Sequence, residues 1–148
     1  MMTTKTDSSV LEMTRTIRAD VERVYKAWTE PEQMTKWFGC METQAVKISQ
    51  DLRVGGNYSV NVQLDDQKSC TMSGTYLEIV PNEKLVYSWT NTAEDYPAKD
   101  TLVTVEFIAK GATTEIHLKH SKFDRPISVQ GHTMGWGAAF DKFEALFA

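Results

Sequence analysis

Only three of the 148 residues are histidines, and two of them, His120 and His132, are placed so that they could meet. In "TTEIHLKHS" strand alternation sets Ile116, Leu118 and His120 on one face and Glu115, His117 and Lys119 on the other. In the closing "QGHTMGWGAAFDKF" His132 precedes Trp136 by one helical turn and shares its stripe. Imidazoles at one end of a common cavity can hydrogen-bond a ligand or move protons on a bound carbonyl compound. The competing reading is a pair of partly buried histidines satisfied by backbone carbonyls and water. Glu78 shares the parity of Tyr76 and faces inward with it only if no bulge intervenes; a solvated, outward Glu78 is the better expectation. His120, His132 and Glu78 are therefore the candidate acid–base groups.

Other chemistries find little support. A zinc site needs a third ligand nearby, and no motif supplies one. GxSxG, GxxxxGK[ST] and HExxH are all missing. "RVGGNY" is a turn entering a strand, so its glycines supply backbone freedom rather than a phosphate cradle. Cys40 and Cys70 lie in different predicted elements without CxxC spacing, which points to reduced, structural thiols. No cofactor or metal is expected.

Sixteen basic and 20 acidic residues give a net charge of −4 without blocks of like charge, so nucleic acid is not an expected partner. No stretch approaches the roughly 20 apolar residues of a membrane span. "MMTTKTDSSVLEM" has no apolar core of a secretion signal, and the expected location is the cytoplasm. No motif fixes an oligomeric state.

The elements that must position these side chains follow from the hydrophobic period. After a disordered start over residues 1–9, "VLEMTRTIRA" alternates as a first strand, with Leu11, Met13 and Ile17 apolar. In "DVERVYKAW" Asp20 is a suitable N-cap, and Val21, Val24, Tyr25 and Trp28 share one helical face. "TEPEQMTKWF" restarts a helix, with Thr29 and Glu32 at capping-box spacing and Pro31 in the first turn, and ends at Gly39. "TQAVKIS", "NYSVNVQL", "CTMSGTYLEIV", "KLVYSWT", "TLVTVEFI" and "TTEIHLKHS" are six further strands. Their connections are short except for "NTAEDYPAKD", which predicts an antiparallel meander. Val129, His132, Trp136, Phe140, Phe143 and Phe147 then form one apolar stripe of a long terminal helix.

Residues 10–148 thus read as a single α+β domain: a curved antiparallel sheet of about seven strands around a long C-terminal helix, with two short helices between the first two strands. Each helix-interior glycine costs about 1 kcal/mol relative to alanine. Gly131 and Gly135 therefore imply either close packing of helix on sheet or a void lined from a distance by large side chains. Tyr58, Tyr76, Tyr87 and Trp89 are core aromatics or, alternatively, a pocket wall with phenol and indole handles.

"RTIRADVERVYKAWTEPEQMTKWF", "DLRVGGNY", "GTYLEIVPNEKLVYSW", "TLVTVEF" and "HTMGWGAAFDKF" resemble the activator of heat-shock-protein-ninety ATPase homologue-like family. That family belongs to the START-related, polyketide-cyclase-like (SRPBCC) superfamily with the helix-grip fold. The likeness spans roughly residues 10 to 147. It implies a cavity between sheet and long helix that accepts a small apolar or amphipathic molecule. By this resemblance Trp37 and Phe38 close one end, Trp89 and His120 face the cavity from the sheet, and Trp136 faces it from the helix. The expected lining also takes in Tyr58, Tyr76, Tyr87, Val103, Val105, Leu118, His132 and Phe140. Two departures stand out: Ala19-Asp20 replaces the usual Ala-Pro before the first helix, and the chain has no residues for the separate chaperone-binding domain of the eukaryotic co-chaperone. A ligand-binding module is the leading expectation. A cyclase-like enzyme using His120 and a chaperone-regulating interaction module are its rivals.

Overall fold

At Asp20 the period of the chain changes from 2 to 3.6, and the backbone follows it in the computed structural model, which describes residues 3–7, 9–39, 43–65 and 67–148. The Asp20 carboxylate accepts the Arg23 backbone N–H at 3.0 Å and so caps α1 (Val21–Thr29), whose Val24, Tyr25 and Trp28 are buried as the spacing predicts. A cap of this kind contributes about 1 kcal/mol. The expected capping box at Thr29 does not form. Thr29 is the last residue of α1, and its hydroxyl donates to the Tyr25 carbonyl at 2.8 Å. With only Glu30 between the two helices, the residue is claimed by the preceding turn. Glu30 stands before α2 (Pro31–Met34) without a side-chain cap. Beyond α2 the Trp37 indole N–H donates to the Ala27 carbonyl at 2.8 Å, which folds the two helices together. Gly39, at φ +90°, then turns the chain away in a conformation that side chains disfavour.

The strands are β1 (Thr3–Thr6), β2 (Leu11–Ile17), β3 (Ala45–Gln50), β4 (Asn57–Gln63), β5 (Ser69–Val80), β6 (Lys84–Asn91), β7 (Ala98–Lys110) and β8 (Thr113–Ser121). They form one antiparallel sheet in the order β1-β2-β8-β7-β6-β5-β4-β3. Hence β3 to β8 are a meander, and β2 closes on β8 across the helical insertion. Two expectations change. The start of the chain, expected to be disordered, carries β1 paired to β2 with Thr4 opposite Met13, which makes eight strands rather than seven. "TTKT" has no apolar face to reveal a strand; it is placed by its ladder with β2. β7 also begins earlier than expected, inside "NTAEDYPAKD", because Asp100 at φ +50° and a register shift between Trp89 and Asn91 let the strand continue past an irregularity.

α3 (Pro126–Ala145) lies across the inner face of the sheet. Val129, His132, Trp136, Phe140 and Phe143 are buried along it, and Phe147, just past its end, packs at the margin. All of these apolar groups join one core cluster with Leu11, Ile17, Val60, Leu85, Val103, Val105, Ile116 and Leu118. At the far end of α3, Arg15 points inward from β2. Its Nη1 lies 2.9 Å from Asp141 and 3.4 Å from Glu144, and its guanidinium stands 5.4 Å from the Phe140 ring centre. Among the described residues, no helix is long and apolar enough to cross a membrane.

The glycines of α3 differ in what surrounds them. A Cβ on Gly131 would fall 2.3 Å from the Tyr96 ring, whereas one on Gly137 would meet nothing within 4 Å. Gly131→Ala is expected to lower stability by about 1–3 kcal/mol through overpacking. Gly137→Ala should raise it by up to about 1 kcal/mol through helix propensity alone. Urea unfolding of the two variants reads both signs.

Candidate functional site

His120 stands on β8 between Leu11 of β2 and Val103 of β7, fully buried. Its Nδ1 accepts the Trp136 indole N–H at 3.1 Å. Its Nε2 lies 2.8 Å from the Thr101 hydroxyl, which itself donates to the Trp89 carbonyl at 2.6 Å. A hydroxyl has one proton to give, so Nε2 must be the donor and the ring is the neutral Nε2–H tautomer. His132, on the first turns of α3, takes the opposite form. Its Nδ1 donates to the Ser128 carbonyl at 2.8 Å, and its Nε2 faces the Trp89 indole N–H at 3.1 Å and the Asn91 amide at 3.2 Å. The two rings lie 5.1 Å apart, edge to face, with Phe123 against both.

Burial, and then the neighbouring His132, holds His120 well below the usual imidazole range. Burial also pulls His132 down to about 4, against the opposing pull of the Ser128 carbonyl. Both rings are neutral near pH 7, and each has its lone pair engaged by an indole N–H. Sequence alternation correctly brings the two histidines together on the inner side. Their partners are largely different from those expected: tryptophans, Thr101 and Asn91 replace water, and one backbone carbonyl remains. Buried indole N–H groups need acceptors, and here the ring nitrogens of the two histidines supply them. Neither ring can act as a base without first releasing a tryptophan. Glu78, the third acid–base candidate, faces outward. A bulge between Tyr76 and Glu78 shifts the register, so Glu78 pairs across from Val86 and reaches Lys84 at 3.2 Å.

The space between sheet and helix is mostly filled by rings. Trp28 stacks on Trp136 at 6.0 Å and packs on Trp37 at 4.6 Å, while Phe38 stacks on Trp89 at 5.9 Å. Val103, Val105, Leu118, His120 and Phe140, expected to line a cavity, are packed into this core. Tyr58, Tyr76 and Tyr87 gather at the other side, around a void of about 10 Å³ shared with Trp28. Tyr58 donates to the Ser88 carbonyl at 2.6 Å and Tyr76 to Gln50 at 2.7 Å. One pocket of about 50 Å³ remains at the N-terminal half of α3. Of the expected residues, Trp37, Phe38, Trp89, His132 and Trp136 line it. Gly131 and Gly135, read from the sequence as leaving room for either close packing or a void, border it too, and Gly39, Val62, Leu64, Cys70, Met72, Asn91, Tyr96 and Ala139 are lining residues outside the expected set. Inward parity on β4 and β5 was the signal available for Val62, Cys70 and Met72. Pockets for drug-sized ligands run to roughly 300–1,000 Å³, so the broad cavity expected between sheet and helix is reduced to a small apolar one. Cys70 is buried with its Sγ 3.9 Å from Met72 Sδ, and Cys40 lies outside the described residues. Among the described residues no cluster of three or more His, Cys, Asp or Glu side chains is placed to hold a metal ion.

Residues 18–148 match the family model for Activator of Hsp90 ATPase homolog 1-like protein. No curated protein matches the chain. Among solved structures, protein CV1439 from Chromobacterium violaceum superposes with a TM-score of 0.83 at 23% identity, over 94% of this chain and 96% of that one. A protein from Arthrobacter aurescens gives 0.83 at 18% identity, covering 98% and 90%. CalU16 from Micromonospora echinospora gives 0.68 at 23% identity, covering 99% and 83%. At these identities the likeness establishes the helix-grip α+β fold.

Two measurements bear on the histidine–tryptophan lattice. Trp136→Phe leaves His120 Nδ1 buried without its donor and should cost about 1–3 kcal/mol beyond the change in packing. The pH dependence has a definite sign: His132 titrates near 4 when folded and near 6.5 when unfolded, so the unfolded chain binds the extra proton. The contribution is present above pH 6.5 and is lost as the pH falls toward 4, on the order of 3 kcal/mol for this residue. Urea midpoints at half-unit pH intervals should fall over that window, and His132→Gln should flatten the slope.

Proposed function

The chain belongs to the Activator of Hsp90 ATPase homolog 1-like family, and from that premise we propose that it is a small-molecule-binding module whose ligand enters the pocket beside Gly135. The observation that carries this reading is the contrast along α3. One turn before it, Gly131, which also borders the pocket, is backed by Tyr96, but a Cβ on Gly135 would meet nothing within 4 Å, and the space in front of it opens into the pocket. Alanine there would clash with nothing and would favour the helix. Glycine instead holds the wall back and keeps the hollow open to Phe38, Met72, Trp89 and Trp136. Shape and apolar contact are the means of recognition. The engaged lone pairs of His120 and His132 favour binding over acid–base turnover, since cyclase-like chemistry on His120 would require Trp136 to let go of Nδ1.

The test is native mass spectrometry of the full chain incubated with a library of short acyl compounds, lipids and aromatic metabolites. One adduct per chain is expected, and Gly135→Leu, which pushes a side chain into the pocket, should lose it. The reading is overturned if no member of the library is retained, or if every adduct persists in Gly135→Leu.

A further inference from the structure

The polar atoms around the pocket restrict what can enter it. Resting on the binding reading above, we infer that the pocket takes a compact group with no hydrogen-bonding atoms: a short or branched alkyl end of a ligand whose polar part stays outside the mouth. His132 gives Nδ1–H to Ser128 and receives Trp89 and Asn91 on Nε2, so both ring nitrogens are used. The Asn91 amide gives one N–H to His132 Nε2, and its oxygen accepts the Ala93 backbone N–H at 3.0 Å. The Trp136 and Trp89 N–H groups point to the two histidines, and the Trp37 N–H is held by the Ala27 carbonyl. A hydroxyl or carbonyl brought inside would leave water for a wall whose imidazole nitrogens and indole N–H groups are already engaged, a loss poorly recovered in apolar surroundings. Phe38, Met72 and the Cys70 sulfur offer polarizable contact instead.

Size points the same way. An engineered apolar cavity of about 150 Å³ holds benzene. The pocket here is about 50 Å³, about a third of that, which suits a group of only a few carbon atoms. The remainder of any larger ligand lies outside, so affinity is set by how the buried end fits.

Solution NMR with three probes tests this. Xenon and 2-methylpropene are apolar; acetone has the shape of 2-methylpropene with a carbonyl oxygen in place of its terminal CH₂ group. Xenon and 2-methylpropene should shift the indole N–H resonances of Trp89 and Trp136, with acetone at least tenfold weaker. Gly135→Leu should abolish the shifts, and Gly135→Ala, which meets no atom within 4 Å and keeps the fold, should weaken them. Gly137→Leu, on the same helix but away from the pocket, should leave them intact. Acetone binding as well as 2-methylpropene overturns the inference and leaves the binding reading standing. Apolar probes without effect, while a library adduct remains sensitive to Gly135→Leu, also overturn it. Loss of both signals overturns the inference and the binding reading together.

Discussion

Two indole N–H groups buried over the middle of the sheet must find acceptors away from water, and the interior is arranged around that need. Trp136 on the helix finds His120 on the sheet, and Trp89 on the sheet finds His132 on the helix. The two bonds cross the same interface in opposite directions, so sliding or rotating α3 would break both and strand four buried polar groups. Apolar packing is tolerant of small displacements; these bonds are not. The neutral tautomers are held from behind by Thr101 and the Ser128 carbonyl, which fixes which nitrogen of each ring faces a tryptophan.

That lattice also explains why so little of the sheet–helix space is empty. Once Trp89 and Trp136 are fixed by their N–H groups, Trp28, Phe38 and Phe140 close around them, and Trp37 packs behind Trp28 and Phe38. The flank beside Gly131 and Gly135 of α3 stays open. Membership of the Activator of Hsp90 ATPase homolog 1-like family describes the grip of sheet on helix; the particular aromatic filling decides how much room that grip leaves.

Most of the fold could be read from the sequence because its elements differ in period. Asp20 marks the first helix by a capping chemistry visible in one dimension, and the α3 stripe from Val129 to Phe147 declares its buried face. What stayed hidden depended on partners distant in the chain. β1 has no hydrophobic signature, and its existence depends on the β2 backbone. Glu78 does face outward, as expected, but the bulge that turns it is not visible to parity counting. The site was half legible: strand parity and helical spacing bring His120, His132, Trp89 and Trp136 to one place, but the direction of each hydrogen bond depends on side-chain geometry. Gly131 and Gly135 look alike in the sequence, and only Tyr96, arriving from a loop about 35 residues earlier, separates a filled notch from an open one.

The two ends of α3 are moored by different forces. Its first half is held by neutral hydrogen bonds inside the core, whereas its last turns are drawn to β2 by Arg15, a buried guanidinium facing two carboxylates that remain largely in solvent. Counterions reach those carboxylates and weaken their attraction, but have no comparable access to the tryptophan–histidine bonds. Raising the ionic strength therefore weakens the mooring at the C-terminal end more than the one beside the pocket, while Phe140 and Phe143 keep those last turns in the core.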